Sequence, residues 1–345
     1  VSDTDVLIVG GGLSGLALAD RLQAAGQDWQ LIEARSRLGG RIDVLRHGGT
    51  AFDMGPSWFW PGQPRMAAMA DRLGLHVFSQ HADGALIWED ESGGVQRDRG
   101  FSSMAGSLRI AGGMAAMIDG LATGLPSVRL HLGSAVAEVR PDGVTLSDGC
   151  RIGARRIVMA LPPRVVAELA FSPLLEPEIL SELRAVPTWM GGQAKFVAVY
   201  DRPFWRDTGL SGDGMSRRGP LVEIHDASGP TGTPGALFGF VGVPATHRAG
   251  QGAAIRQAAT AQLARMFGTR IPVATQLTDW ADHPETASAL DRQPLYAHPD
   301  YRMPAALAQL WDGALMLGST EVAPEHGGFL EGALAMADHL SVRLN

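Results

Sequence analysis

The chain has 345 residues, of which 45% are hydrophobic and 19% charged, with a formal net charge of −7. This content supports a sizeable core and excludes a mainly disordered chain, while the acidic balance leaves no general basic surface for nucleic acid. One cysteine, Cys150, excludes an internal disulfide and an all-cysteine metal centre.

Residues 5–9, Asp-Val-Leu-Ile-Val, read as a buried parallel strand. Residues 13–25 carry helical apolar spacing, with Leu16, Ala19, Leu22 and Ala25 on one face and Gly26 as the stop. Residues 29–33 read as a second strand and complete a βαβ unit. Helices are expected over 63–73 and 114–125, with a strand over 85–88 between them. Residues 128–132 and 135–139 read as strands, and 144–146 with Ile152 flank a Ser-Asp-Gly turn, a hairpin signal. An apolar strand over 156–161 ends at Pro162-Pro163.

The middle changes character. A short helix over 178–184 sits among prolines, followed by an alternating strand over 194–200. Loops are expected over 211–218 and 228–235, a strand over 237–243 and a helix over 252–267. Residues 314–318 return to a parallel-type strand, and 329–344 form the last helix. The fold class is therefore α/β. A discontinuous dinucleotide-binding domain takes 1–60, 105–165 and 301–345, and a smaller mixed α+β substrate domain takes 61–104 and 166–300. Apolar runs are too short and too broken by glycine for a membrane span of about 20 residues. No secretory leader precedes the first strand, so the expectation is a soluble, cytoplasmic protein without a membrane or nucleic-acid partner.

Gly10-Gly11-Gly12-Leu13-Ser14-Gly15 fits GxGxxG between the first strand and the first helix. Gly10 suits the tight turn, Gly12 the close approach of backbone to a pyrophosphate, and Gly15 the packing of helix on strand. The helix start at Leu13 and Ser14 offers free N–H groups to phosphate. Glu33, ending the second strand, would accept from ribose hydroxyls and repel a 2′-phosphate. The following run, Glu33-Ala34-Arg35-Ser36-Arg37-Leu38-Gly39-Gly40-Arg41, places guanidinium groups beside two glycines, which suits an anionic ligand.

This pair of motifs resembles the FAD-dependent amine oxidase family. The resemblance implies an FAD-binding, Rossmann-like domain of the GR2 type, with Arg35 and Arg41 near the pyrophosphate and adenosine and Gly39-Gly40 in backbone contact. It continues through Gly55-Pro56-Ser57-Trp58, similar to the segment running past the flavin ring, and through Val136, similar to the adenine-contacting strand. Gly318-Ser319-Thr320-Glu321 and Gly327-Gly328-Phe329-Leu330 resemble the family's C-terminal signature. There Glu321 is implied to contact the ribityl chain, and the helix beginning near Gly328, Phe329 and Leu330 to aim its positive end at the pyrimidine ring. Lone Cys150, far from that signature, implies that FAD is held non-covalently.

The family's reaction moves hydride from an amine α-carbon to flavin N5, with dioxygen then giving hydrogen peroxide. Lys195 lies in an otherwise apolar strand, an unusual position for lysine. The resemblance assigns it a water beside N5 and activation of oxygen by local charge. Trp280 and Phe329 are the candidates for two cage rings, with Trp58 and Trp60 as further lining. Phe329 stands where the family has tyrosine, so it keeps a π-face for an amine and lacks the hydroxyl. The expected partners are a small amine and dioxygen. A short segment before Gly112 leaves the cavity open or completed by a second copy in a homodimer. No metal site is expected, because the histidines lack ligand spacing. His225, His247, His283 and His298 read as surface or hydrogen-bonded residues. Other readings of the same motifs are a desaturase, a renalase-like oxidase of reduced nicotinamides, and a non-catalytic FAD-binding protein.

Overall fold

The computed structural model describes residues 2–344. The run Thr4–Val9 is apolar and largely buried on both faces, as a central parallel strand requires. It pairs in parallel with Trp29–Ile32 on one side and Arg151–Met159 on the other. The long strand Arg151–Met159 changes partner along its length. Its first half closes an antiparallel hairpin with Gly143–Leu146, and its second half runs parallel to Leu315–Leu317. Val136–Arg140 and Ala170–Phe171 extend the hairpin edge, and Leu130–His131 forms the opposite edge. The segment expected as a strand over 128–132 begins in a 3-10 turn, Ser127–Arg129, and only Leu130–His131 is strand.

Helices Leu13–Ala24 and Leu330–Leu344 bury Leu16, Leu22, Leu334 and Leu340 in the core under this sheet. Met66, Met69 and Ala70 of helix Pro64–Arg72 join the same core. That helix has no capping side chain of its own. Instead the fully buried carboxylate of Glu331 accepts from the backbone N–H of Arg65 at 3.0 Å and Met66 at 2.9 Å, and from Arg65 Nη1 at 3.2 Å. One acid thus satisfies two orphan donors and the helix dipole. Glu331→Ala leaves those two backbone donors without their acceptor, while Arg65 keeps Glu325 and Asp338, and we expect a loss of about 1–3 kcal/mol, read as a lower urea midpoint.

The second sheet runs Ala274–Asp279, Ala194–Tyr200, Gly235–Val241, Leu221–Asp226, Leu210–Ser216, Ala85–Glu89, Val95–Arg97. Strand Ala194–Tyr200 does not alternate between core and solvent: all seven residues are buried. One face packs Phe196 and Ala198 toward helix Gly252–Phe267, and the other packs Val197 and Val199 against Phe52 and Met54. The segment expected as a loop over 211–218 contains the strand Leu210–Ser216. Its glycines look like turn residues; Gly212 adopts φ +90° at an irregularity within the strand, and both Gly212 and Gly214 pack closely. A Cβ on Gly214 would lie 3.2 Å from Met266 Cε, and one on Gly212 would lie 2.8 Å from Asp226 Cβ. Among the described residues no helix is long and apolar enough to cross a membrane.

Candidate active site

Gly10 leaves the first strand with φ +111°, where a side chain is strained, and a Cβ there would lie 2.8 Å from the Ala160 carbonyl oxygen. At Gly15 a Cβ would lie 2.0 Å from the Gly10 carbonyl oxygen, so only glycine lets helix and strand close. Gly12 differs: a Cβ there meets nothing nearer than Gly40 Cα at 4.0 Å. The space beside it is cavity. Helix Leu13–Ala24 starts at Gly12 with no side-chain cap and no acid in its first turn, which leaves its N-terminal field available to an anion. The Ser14 hydroxyl itself donates to the Gly318 carbonyl and ties the two glycine signatures together.

Glu33 is buried and accepts from the backbone N–H of Gly11 at 2.8 Å and of Arg35 at 2.9 Å, which aims its carboxylate at the same cavity. The Arg35 guanidinium bonds Glu285 Oε2 at 2.9 Å and the Gly40 carbonyl at 3.1 Å. Arg41 Nη1 lies 2.6 Å from Glu321 Oε1. Glu321 is fully buried, and neither of its carboxylate oxygens receives a well-aligned hydrogen bond; the Ser319 hydroxyl beside it is also unpartnered. Glu321 and Gly15 are not part of the cavity wall, whereas Arg41, Ser319 and Thr320 are.

A single cavity of about 830 Å³ collects the other residues singled out above, large for the ~300–1,000 Å³ range of cofactor and ligand sites. At one end are Gly10, Gly12, Leu13, Ser14, Glu33, Ala34, Arg35 and Val136. Gly39, Gly40 and Arg41 follow, then Gly55, Pro56, Ser57 and Trp58. Gly328, Phe329 and Leu330 close the wall at the start of the last helix, where Gly328 adopts φ +80°. This donor set suits an extended anionic dinucleotide: uncapped helix amides, a glycine cradle, a ribose-seeking acid and orphaned buried polar atoms midway.

Lys195 is part of the cavity wall and is 2% exposed. Its Nζ donates to the Gly55 carbonyl at 3.0 Å and to Ser57 Oγ at 2.6 Å, and sits 3.9 Å above the Phe238 ring. Burial pulls its pKa down to about 7, with buried Arg109 adding to the shift and Asp53 opposing it. Asp53 accepts from the Met114 N–H at 2.7 Å, and burial raises its carboxyl above the ordinary range against the pull of Lys195 and Arg109. Arg109 in turn donates to the Ser228 and Ala227 carbonyls.

Trp280 is buried in the cavity wall, and its Nε1 donates to the Met54 carbonyl at 3.0 Å. Phe329 stacks on His298 at 4.6 Å and 12° and meets Trp60 edge-on at 6.4 Å. The aromatic partners of Phe329 are thus His298 and Trp60; Trp280 packs on His283 at 5.2 Å. The sequence puts His298 among surface histidines; it is exposed, yet it also forms part of the wall. Asp53, Arg109, Glu223 and Glu285 escaped sequence reasoning. Only the alternation Glu223-Ile224-His225 carried a signal, two ionisable side chains on one face of a strand. Cys150 is exposed on its hairpin and stands outside the cavity wall.

A model of flavin-containing amine oxidoreductases matches residues 13–99 and 89–343. The chain belongs to that family. Putrescine oxidase from Kocuria rosea is 24% identical over 69% of this chain and 73% of its own length. L-amino acid dehydrogenase from Synechocystis sp. is 24% identical over 96% of this chain and 93% of its own. Wild-type putrescine oxidase bound to putrescine has a TM-score of 0.81 at 21% identity, covering 99% of each chain. Cyclohexylamine oxidase from Brevibacterium oxydans has a TM-score of 0.82 at 19% identity, covering 99% of this chain and 98% of its own. Family and fold together make the chain an FAD-dependent oxidoreductase of the amine-oxidase type.

Proposed function

We propose that this protein oxidises a small amine with non-covalently held FAD and passes the electrons to dioxygen, giving hydrogen peroxide. The observation that carries the reading is Lys195, a buried lysine in the wall of a dinucleotide-sized cavity, held beside Gly55 and Ser57. Bound FAD supplies the acceptor for hydride from the substrate α-carbon. The remaining work falls to side chains. Glu33, Arg35 and Arg41 hold the nucleotide end, and buried Glu321, behind the cavity wall, holds Arg41 in place. The N-terminus of helix Leu330–Leu344 favours negative charge on the ring system. Lys195 holds a water and a positive charge where oxygen is reduced. Trp280, Trp60 and Phe329 supply π-faces that desolvate and orient the amine. The exposed position of Cys150 supports a non-covalent cofactor. Residues 1–60, 105–165 and 301–345 carry the cofactor, with helices Pro64–Arg72 and Pro177–Ala185 sharing that core, and the second sheet forms the substrate wall.

The test is anaerobic mixing of the yellow protein with primary, secondary and polyamines, amino acids and reduced nicotinamides. Bleaching by an amine, with peroxide released when air is admitted, is the expected result. Bleaching by reduced nicotinamide alone, or a protein that takes up no FAD, would overturn the reading.

A further inference from the structure

Lys195 is the only lysine of the chain, which carries 29 lysines and arginines together. Everywhere else the basic side chain is arginine, whose guanidinium stays charged at any working pH. A fixed positive charge in the cavity wall needs no lysine. An ammonium differs in one property that matters at a reacting centre: it can give up a proton. Burial brings the Lys195 pKa to about 7, with Arg109 adding to the shift and Asp53 opposing it, so both protonation states are within reach at neutral pH. Its neighbours on the two flanking strands, Phe240 and Thr278, carry no charge.

The bonds around Nζ leave one path for that proton. An ammonium has three N–H donors and no acceptor. One reaches the Gly55 carbonyl at 3.0 Å and one reaches Ser57 Oγ at 2.6 Å, while Nζ sits 3.9 Å from the Phe238 ring centroid. Two oxygens and a ring face thus surround the charge. The Gly55 carbonyl accepts and has no proton to pass on. The Ser57 hydroxyl accepts from Nζ and still has its own O–H to place, because a hydroxyl is donor and acceptor at once. Among the described residues no protein atom accepts from that hydroxyl. Ser57 is 3% exposed and lines the cavity together with Lys195, so the acceptor of its O–H belongs to the cavity.

We propose that Ser57 is a catalytic proton donor, standing between Lys195 and the dioxygen that is reduced in the cavity. The proposal rests on the dioxygen half of the reading above, and in it Lys195 acts on oxygen through Ser57. A hydride delivers two electrons and one proton, whereas forming hydrogen peroxide from dioxygen takes two of each. One further proton is needed per turnover. The Ser57 O–H breaks as its proton passes to reduced oxygen across the water that the pair holds, and a proton moves from Nζ to the Ser57 oxygen. Serine is left unchanged and Lys195 neutral, its lone pair now accepting from the Ser57 hydroxyl. Water in the open cavity returns a proton to Lys195 along the same path once peroxide has left.

The test uses FAD-loaded protein whose flavin is reduced by light, without any amine, and is then mixed with aerated buffer in stopped-flow. Ser57→Ala keeps the lysine and loses the relay, so reoxidation should slow about 100-fold, the lower end of what general acid–base catalysis contributes. Ser57→Thr keeps a hydroxyl and should recover most of the rate. A second readout needs no turnover. With lysine labelled with carbon-13 at the ε-carbon, the protein gives one lysine signal, whose titration follows Lys195 alone. Ser57→Ala removes an acceptor from the charged form, so that titration should move to lower pH, and Ser57→Thr should restore it. Reoxidation that Ser57→Ala leaves at the wild-type rate, or a Lys195 titration that it leaves unmoved, overturns the proposal and leaves amine oxidation intact. Wild-type protein whose reduced flavin reacts with dioxygen no faster than free flavin overturns dioxygen as the acceptor and this inference with it. Because light reduces the flavin here, failure of amines to bleach it is a separate result, which removes the amine reading alone.

Discussion

Gly12→Ala is expected to keep its fold but bind FAD weakly, whereas Gly15→Ala is expected to be destabilised. The two glycines sit three residues apart in one motif and do different physical jobs. At Gly15 the added methyl lands 2.0 Å from the Gly10 carbonyl oxygen, a backbone atom that cannot swing aside. Helix Leu13–Ala24 must then lift from strand Thr4–Val9, exposing Leu16, Leu18 and Leu22 of the main core. A forced contact of this kind costs about 1–3 kcal/mol. At Gly12 the added methyl would sit 4.0 Å from the nearest protein atom, so the apo fold has no reason to change. The methyl occupies the space through which backbone approaches the pyrophosphate. We expect FAD affinity to fall by roughly 100-fold or more, about 2.7 kcal/mol. Urea unfolding of the apoproteins and FAD titration by fluorescence quenching separate the two effects. Equal unfolding midpoints for the two variants would show that the motif's glycines are not divided in this way.

The nucleotide end of the site was legible because its chemistry is local. Glycines at fixed spacing, an acid ending the second strand and an arginine run with two more glycines all follow one another between Gly10 and Arg41. The substrate end was much less legible. Asp53, Arg109 and Glu223 come from strands Thr50–Asp53, Leu108–Ile110 and Leu221–Asp226, far apart in sequence and in three different sheets, so no local motif marks them. Strand Leu210–Ser216 was hidden by its glycines, whose role is close approach to Met266 and Asp226 rather than a turn. Strand Val44–His47 and its partner Thr50–Asp53 were hidden because a Gly48-Gly49 turn inside a polar stretch gives little apolar pattern. The cage also depended on tertiary placement. Sequence could nominate Phe329 and Trp280, but the ring stacked on Phe329 belongs to His298, in a loop with no periodicity.

Lys195→Met should separate reduction of the cofactor by substrate from its reoxidation by dioxygen. Methionine fills the lysine's space without its charge, so the aromatic wall and the glycine cradle persist. Amine-driven bleaching should then change little, while reoxidation in stopped-flow should slow about 100- to 1,000-fold, the scale of losing one preorganised charge at a reacting centre. The wild-type protein carries its own control. Burial, reinforced by Arg109 and opposed by Asp53, sets the Lys195 pKa at about 7. Its positive charge is therefore present below that pH and lost above it, so wild-type reoxidation should slow as pH rises through 7, and the variant should be flat. Stability should run the other way. In the unfolded chain Lys195 returns to its ordinary value near 10.5. Between about 7 and 10.5 the unfolded state binds the extra proton, so this group makes stability rise with pH across that interval. Lys195→Met should remove that part of the slope in urea-unfolding measurements of the apoprotein. A reoxidation rate that keeps the wild-type pH dependence after the substitution would assign the titration to another group and take the oxygen-activating role away from Lys195.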